Sequence, residues 1–345
     1  MRNKLEIMLL VLFIIFTINC WELGHIGQHD IQSPTPEEMI GWVNYPEVFP
    51  TCMTDDLQGN IWMGGEVSGT EGLFRFDGEN WQRIPASVIS ISEPVFVSDV
   101  YGADNGKLYV GFKDQGFAIY DGTIWRTYNK QSGLVSDSVT VIRIDKSSKI
   151  WIGTKSGLTR TNLTTWETFT VNDGLPSNKI LDLEIDGYGF ILCLTDSGFA
   201  FYNGNEWQSF LVDTGAIYAL HSLVLDRNGR IWFPEQMGVG GKFFIFENGN
   251  ISKKDIGRSS SVFDFDSKNN IWIAWYGVSK FENNEWKDFY SHARINYNDP
   301  RGNCGLLNNA ISFVYIDRKN NKWFATNKYL KEFTSWCGTS RYELE

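Results

Sequence analysis

A pattern of alternating apolar and polar residues recurs seven times along the chain, each time around one short phrase. The phrase is an apolar run ending in Asp, a tight turn, and a second apolar run that carries a Trp or an equivalent residue. The Asp stands at residues 56, 145, 186, 226, 266 and 317, and Ala103 takes its place in the second copy. Successive copies lie 47, 42, 41, 40, 40 and 51 residues apart. A period of about 40–45 residues is typical of a four-stranded propeller blade.

A second phrase follows each first one and ends in an aromatic residue in most copies. Trp ends it at residues 81, 125, 166, 207 and 286, whereas Ile251 ends the fifth copy. The seventh copy, around Phe333 and Trp336, is shortened. The alternation and the Asp-Gly or Asn-Gly turns are typical of hairpins. Each unit therefore predicts four strands: strand a before the Asp, strand b with the first Trp, strand c, and strand d beginning at the second Trp.

Seven such units without helical periodicity predict an all-β fold, a single seven-bladed β-propeller of four-stranded antiparallel blades. Ten of the 14 Trp lie at the two repeated positions, and we expect all ten to pack in the core between blades. The chain starts near strand a of the first blade, at Val48, and is expected to end on strand d of the seventh. Gly41 to Tyr45 resembles the start of a strand d, so it is a candidate for pairing with the last blade.

The connections between strands divide into two faces. The a–b and c–d turns share one face, which we call the turn face, and the b–c and d–a connections share the opposite loop face. The a–b turns are uniform, whereas length varies on the loop face, most of all in residues 291–309. Because variable loops on a rigid scaffold often carry function, we expect a ligand to bind on the loop face. The candidate residues, able to stack on a ligand or to pair with its carboxylates, are Trp275, Tyr276, Tyr290, His292, Arg294, Tyr297 and Arg301. The alternative is that the long loop is a solvated insertion that only covers the channel mouth.

The first residues predict export. A basic start is followed by an apolar run, Ile7 to Phe16, which is within the roughly 7–15 residues of a signal peptide and too short to span a bilayer. Cys20 follows, and the segment resembles a bacterial lipobox, although Thr17 and Asn19 depart from its usual residues. We therefore expect residues 1–19 to be a signal peptide, 20–45 an N-terminal tail and 46–345 the propeller. The mature protein would be periplasmic or on the cell surface, anchored by lipid on Cys20. An ordinary cleaved signal or an uncleaved anchor, with Cys20 incidental, is the alternative.

Charge narrows the classes of partner. The formal net charge is −10, and it becomes −11 once residues 1–19, with two basic residues and one acidic residue, are removed. An acidic surface argues against nucleic acid and anionic lipid headgroups as partners. We expect a monomer that touches the membrane only through its lipid and binds an unknown glycan, peptide or protein.

Motifs for catalysis, metals and cofactors are weak. No Cys or His spacing suggests zinc. The Asp-rich runs at Asp182 and Asp264 do not match a calcium-binding loop. In the first run, Cys193 stands where an acidic ligand is needed. No phosphate-binding or nucleotide-binding glycine motif is present, so we expect no cofactor and no metal. Of the four His, His25 and His29 lie in the polar tail before the fold and are poor candidates for catalysis. His221 and His292 fall in or near strand-connecting loops, where a His-based lyase or hydrolase would need them. A non-catalytic binding module is favoured, and an extracytoplasmic carbohydrate-active enzyme or lyase with its site at the channel mouth is the alternative.

The remaining cysteines have separate structural interpretations. Cys193 occupies the apolar position after the strand b aromatic, so we expect it to be buried and unreactive. Cys304 and Cys337 flank the seventh blade and are candidates for a disulfide that would staple the ring, worth ~2–4 kcal/mol if the geometry allows.

The phrases "GLPSNKILDLEIDGYGFIL" and "DSVTVIRIDKSSKIWIGTKSGLTR" resemble the two-component-regulator propeller repeat. The resemblance extends from about Val48 to Trp336. It implies a propeller and the extracytoplasmic location of the sensing region of hybrid two-component regulators. It carries no catalytic residue, because the signature of this repeat is structural. The kinase, membrane helix and immunoglobulin-like domain of those sensors are not found in this sequence.

The lipid anchor predicts how the protein partitions in cells. Cys20→Ala should leave the membrane fraction and lose lipoprotein processing, because the acylated sulfur is the expected anchor. Fractionation with metabolic labelling by a fatty acid measures both effects. A Cys20→Ala protein that stays membrane-bound and equally processed would contradict the lipid anchor.

Overall fold

Each predicted four-strand unit forms one antiparallel sheet, and seven such sheets make up a β-propeller. The computed structural model describes residues 41–211, 222–234, 241–258, 260, 262–274, 277–289, 311–326 and 338–343. The first described strand is β1 (Trp42–Pro46). The first blade holds β2 (Val48–Asp55), β3 (Ile61–Val67), β4 (Thr70–Phe76) and β5 (Trp81–Ile84). The second holds β6 (Val97–Gly102), β7 (Leu108–Phe112), β8 (Phe117–Tyr120) and β9 (Trp125–Tyr128).

Blades three to five repeat this arrangement. The third holds β10 (Val139–Ile144), β11 (Ile150–Thr154), β12 (Gly157–Thr161) and β13 (Trp166–Phe169). The fourth holds β14 (Ile180–Ile185), β15 (Ile191–Thr195), β16 (Gly198–Tyr202) and β17 (Trp207–Leu211). The fifth holds β18 (Val224–Leu225), β19 (Ile231–Pro234), β20 (Lys242–Glu247) and β21 (Asn250–Asp255).

The last two blades complete the ring. The sixth holds β22 (Phe263–Phe265), β23 (Ile271–Ala274), β24 (Val278–Glu282) and β25 (Glu285–Phe289). The seventh holds β26 (Ile311–Ile316), β27 (Lys322–Thr326), β28 (Gly338–Tyr342) and β1. The helical elements of the described residues are α1 (Ala86–Ile89) and 3₁₀ turns at Lys130–Ser132 and Val171–Asp173. In the part of the chain that is described, no helix is long and apolar enough to cross a membrane.

The repeated Asp organises the a–b turn and holds the Trp of strand b. One oxygen of Asp56 accepts hydrogen bonds from the backbone N–H groups of Gln58 and Asn60, at 3.0 and 2.9 Å. The other oxygen accepts from the Trp62 indole N–H at 2.8 Å. The same indole bond joins the pairs Trp151–Asp145, Trp232–Asp226, Trp272–Asp266 and Trp323–Asp317. The repeated Asp is thus a turn former that also holds the Trp. Sequence reasoning missed the bond to the Trp, which the constant six-residue spacing could have suggested.

The two sets of repeated Trp differ in burial. The strand b residues Trp62, Trp151, Trp232, Trp272 and Trp323 are each at most 3% exposed. Those of strand d, at 81, 125, 166, 207 and 286, are only half-buried. The expectation that all ten pack in the core is confirmed for the strand b set. The strand d set packs against the same core clusters but is partly exposed, because strand d lies at the outer edge of each blade. Cys193 is fully buried, as its place in strand b predicted.

Strand β1 closes the ring, as the resemblance of Gly41 to Tyr45 to a strand d predicted. β1 pairs antiparallel with β28, with Trp42 opposite Tyr342, and thus supplies strand d of the seventh blade. The expectation that the chain ends on a strand d is wrong, because β28 is a strand c. Trp42 takes the repeat position that the seventh copy lacks, whereas Phe333 and Trp336 lie outside the described residues.

Aromatic packing fills this seam. Trp42 is 7% exposed and its ring centroid lies 4.8 Å from that of Tyr342 and 5.9 Å from that of Phe324. The Thr339 hydroxyl donates a hydrogen bond to the carbonyl of Val48, at 2.6 Å, and so joins the seventh blade to the first. Closure thus depends on a buried Trp as well as on strand pairing.

Trp42→Ala should lower the free energy of unfolding by ~3–5 kcal/mol, because it leaves a cavity where the two ends of the ring meet. Trp125→Ala, at the same repeat position within a continuous blade and half-buried, is the matched control and should lower it less. Urea unfolding measures both variants. A smaller loss for Trp42→Ala than for Trp125→Ala would contradict this account of closure.

Candidate functional site: the central channel

None of the candidate residues on the loop face is among those that the structure describes. These residues are Trp275, Tyr276, Tyr290, His292, Arg294, Tyr297 and Arg301. Cys20, Cys304 and Cys337 also lie outside the described residues, so the lipid anchor and the disulfide stay predictions. The geometry that can be described is that of the central channel.

The channel contains a cavity of about 730 Å³ lined by strand a of every blade. Sites for small ligands commonly measure about 300–1,000 Å³, so the cavity has the size of a ligand site. Its lining residues follow from the repeat. Alternate side chains of a strand share one face, so residues at equal distance before the repeated Asp form a ring around the channel.

Two rings can be read off the seven copies. The lower ring, two residues before the repeated Asp and nearer the turn face, comprises Thr54, Tyr101, Arg143, Glu184, Val224, Asp264 and Tyr315. The upper ring, four residues before the Asp and nearer the loop face, comprises Cys52, Asp99, Val141, Asp182, Ser222, Val262 and Phe313. The lower ring is rich in charge, and the upper ring combines two carboxylates with apolar groups.

A β-bulge adds a further layer above the upper ring. The strand a–b register shifts by one residue in five blades, at Thr51, Ser98, Thr140, Leu181 and Ser312. Four of these five residues carry a hydroxyl, and all five line the cavity. Bulges re-aim side chains near sites of function. The described wall nearest the loop face is therefore hydroxylated and uncharged.

Carboxylates of one blade bind the innermost strand of the next. Asp99 accepts a hydrogen bond from the N–H of Ile142, and Asp182 accepts one from the N–H of Leu223, both at 2.7 Å. Other junctions use the same arrangement, with Asp264 accepting from Ile316, Thr54 from Gly102, and Tyr315 from Asp55. Strand a has no neighbouring strand on its inner edge, so these side chains satisfy N–H groups that would otherwise lack a protein partner.

Basic side chains do the same for carbonyl groups at the turn face. Arg227 donates to the carbonyls of Phe265 and Asp266 in the next blade, at 2.7 and 3.2 Å. Arg318 donates to the carbonyls of Asp55 and Gly102, at 2.5 and 2.8 Å. Both arginines directly follow the repeated Asp. In the fifth and seventh blades, the residue after the repeated Asp thus helps to hold neighbouring blades together.

One ion cluster spans three blades. Arg143 lies 3.0 Å from Asp99 and 2.9 Å from Glu184, and its guanidinium sits 5.3 Å from the centroid of the Tyr101 ring. Burial opposes the charge of Arg143, but Glu184 and Asp99 outweigh it and hold the Arg143 pKa well above its usual value. Burial raises the pKa of Asp99, with Arg143 opposing the rise. The cluster therefore keeps its single cation charged.

Two channel carboxylates have no cation within ion-pair distance among the described residues: Asp182 and Asp264. Burial raises the pKa of Asp182 to about 7, and Arg143 offsets only part of that rise. Burial also raises the pKa of Asp264 to about 6, against hydrogen bonds from the N–H groups of Phe265 and Ile316. Both side chains can change charge between mildly acidic and neutral pH.

The described wall offers little for catalysis beyond these two carboxylates. The four His of the chain all lie outside the described residues. Among the residues that are described, no group of His, Cys, Asp and Glu could hold a metal ion. The carboxylate and Arg clustering that would favour an enzyme is present, but its members bind the next blade and one another. The arrangement is suited to holding a shaped, polar cavity.

Comparison with solved structures shows the fold. The extracellular domain of a hybrid two-component system, BT3049 from B. thetaiotaomicron, has a TM-score of 0.62 at 17% identity, covering 90% of this chain and 41% of that one. A streptogramin B lyase has a TM-score of 0.64 at 12% identity, covering 89% and 99%. YCF48 bound to D1 peptide has a TM-score of 0.60 at 13% identity, covering 88% and 97%.

These similarities are at the level of fold, and the chain spans about two fifths of the sensor domain that it matches. No family model matches the sequence. No curated protein matches it either. The expected likeness to the propellers of two-component sensors is confirmed in fold.

Asp182 should make stability depend on pH. Its pKa is about 7 in the folded protein and ~3.9 in an unfolded chain, so the folded state binds more protons between these values. Stability should therefore fall as pH rises through this window, and Asp182→Asn should flatten the slope by up to ~1.4 kcal/mol per pH unit. Urea unfolding at several pH values measures the slope. The exposed Asp114→Asn is the control, and an unchanged slope in Asp182→Asn would contradict the assignment.

Proposed function

We propose that this chain is an exported, lipid-anchored propeller that binds a ligand or a partner protein on its loop face without transforming it. The observation that carries the proposal is that most charged side chains of the channel are bound to one another or to the next blade. In the described residues, Asp99, Arg143 and Glu184 are engaged with one another, and Arg318 is engaged with Asp55. Charged groups committed to holding blades together are poorly placed to move protons.

The structural neighbours support binding as the shared property. Two are extracellular domains of two-component or one-component systems, and another was solved with a bound peptide. The extracellular setting of the sensor domains agrees with the signal peptide that the sequence predicts. A sensor-like module that captures a glycan, a peptide or a protein outside the cytoplasm fits these observations.

A lyase is the second candidate function, because Asp182 lines the cavity with a pKa of about 7, a value suited to a general base or acid. Streptogramin B lyase shares the fold over nearly its whole length. Incubating the protein with a ligand found by thermal-shift screening, followed by mass spectrometry, separates the two candidates. Intact ligand supports a binding module, whereas turnover that Asp182→Asn abolishes would support the enzyme.

Ligand binding should depend on the long loop of the loop face. The double substitution Arg294→Ala with Tyr297→Ala should weaken binding at least tenfold while leaving the melting temperature nearly unchanged, because a lost charge pair and a lost stacking contact each contribute about 1 kcal/mol or more. Calorimetry with the ligand identified by the screen measures the affinity.

The matched control changes the opposite face. Gln58→Ala with Lys268→Ala alters two exposed residues of a–b turns and should leave affinity unchanged. Binding that survives the loop substitutions but is lost in the turn-face control would place the site on the turn face and contradict the proposal.

A further inference from the structure

The upper ring of the channel is chemically one-sided. Asp99 and Asp182 contribute carboxylates from the second and fourth blades, whereas Val262 and Phe313 contribute apolar groups from the sixth and seventh. All four side chains line the same cavity. A molecule in this ring would therefore meet negative charge on one side and apolar surface on the other.

The negative charge of the lining exceeds the positive charge. The described lining has six carboxylates and three guanidinium groups. Arg143 is shared between Asp99 and Glu184, and Arg318 between Asp55 and Asp104. Arg227 binds backbone carbonyls of the next blade. The excess of carboxylate is therefore left to Asp182 and Asp264.

Asp182 has acceptor capacity beyond its hydrogen bonds. One oxygen accepts from the N–H of Leu183 at 2.8 Å, and the other accepts from the N–H of Leu223 at 2.7 Å. A carboxylate has about four lone-pair sites, so each oxygen can accept one more donor. A partly buried carboxylate without a cation is unfavourable. A cationic donor would fill a free acceptor site of Asp182 and also compensate its negative charge. A neutral hydroxyl supplies the hydrogen bond but leaves the charge uncompensated.

We propose that the upper ring binds a small organic ammonium, with the ammonium against Asp182 and the apolar part of the molecule toward Val262 and Phe313. The inference rests on the proposed function only in that the ligand enters from the loop face. It names the chemical class of ligand, and it applies equally to a free amine and to the amino group of a peptide side chain.

The test uses three probes of nearly equal shape: benzylamine, benzyl alcohol and benzoate. Saturation-transfer NMR on the full mature chain should show benzylamine bound at millimolar concentration at about pH 8. Benzyl alcohol should bind about tenfold more weakly, as expected for the loss of a charge-assisted bond, and benzoate should not bind. Absence of transfer to benzylamine, or equal transfer to all three probes, would overturn the proposal.

Two substitutions locate the site. Asp182→Asn keeps an oxygen for the N–H of Leu223, so the fold should persist, and it should remove the preference for benzylamine over benzyl alcohol. Asp264→Asn removes the other carboxylate without an ion pair, in the lower ring, and should keep that preference. A preference that survives Asp182→Asn, or one that Asp264→Asn abolishes equally, would contradict the assignment.

The pH dependence gives an independent readout. Bound ammonium favours ionised Asp182, whose pKa is about 7 without ligand. Among the described residues, Arg143, Glu184 and the thiol of Cys193 interact electrostatically with it. Benzylamine affinity should therefore rise by up to about tenfold per pH unit from about pH 5 to 7; a flat profile would count against the proposal. Benzylamine binding can fail while the loop substitutions still abolish capture of a screened ligand, so the two proposals fail separately.

Discussion

The inner edge of the propeller is the constraint on which the rest of the structure depends. Strand a of each blade pairs with strand b on one side only, so its other edge faces the channel. Buried backbone groups without partners are costly, and a ring of seven such edges multiplies that cost. Side chains of this chain bind those backbone groups in the following blade. They lie two or four residues before the repeated Asp, or directly after it.

This constraint explains why the channel is both polar and asymmetric. Five junctions solve the same problem with three residue types: Thr54 at the first, Asp at the second, fourth and sixth, and Tyr315 at the closing junction. Because the solutions differ, charge is unevenly distributed around the channel. Asp182 and Asp264 hold the next blade without an ion partner in the described residues. The need to hold the blades together thus leaves two carboxylates without an ion partner, and a ligand can bind to them.

Sequence periodicity was enough to predict the blade, its four strands and the burial of the strand b Trp, because period and burial are local properties. It could not predict the role of Asp99, Asp182 or Asp264, since their partners lie about 40 residues away in the next blade. Asp182 and Asp264 were interpreted only as strand residues of failed calcium loops, and Asp99 received no interpretation. The pairing of Gly41 to Tyr45 with the last blade was anticipated, because this segment resembles the start of a strand d. The end of the chain was wrongly placed on strand d, since β28 is a strand c. The loop-face candidates fall outside the described residues, so they stay predictions.

Residue-resolved hydrogen exchange of the inner-edge amides tests this account most directly. The N–H groups of Gly102, Ile142, Leu223 and Ile316 bind side chains of the preceding blade instead of a strand. They should exchange as slowly as strand-paired amides of the same blades, and Asp99→Ala should speed exchange at Ile142 but not at Ile316. Exchange of all four at the rate of exposed loop amides, or no local effect of Asp99→Ala, would contradict the claim that channel side chains hold the ring together.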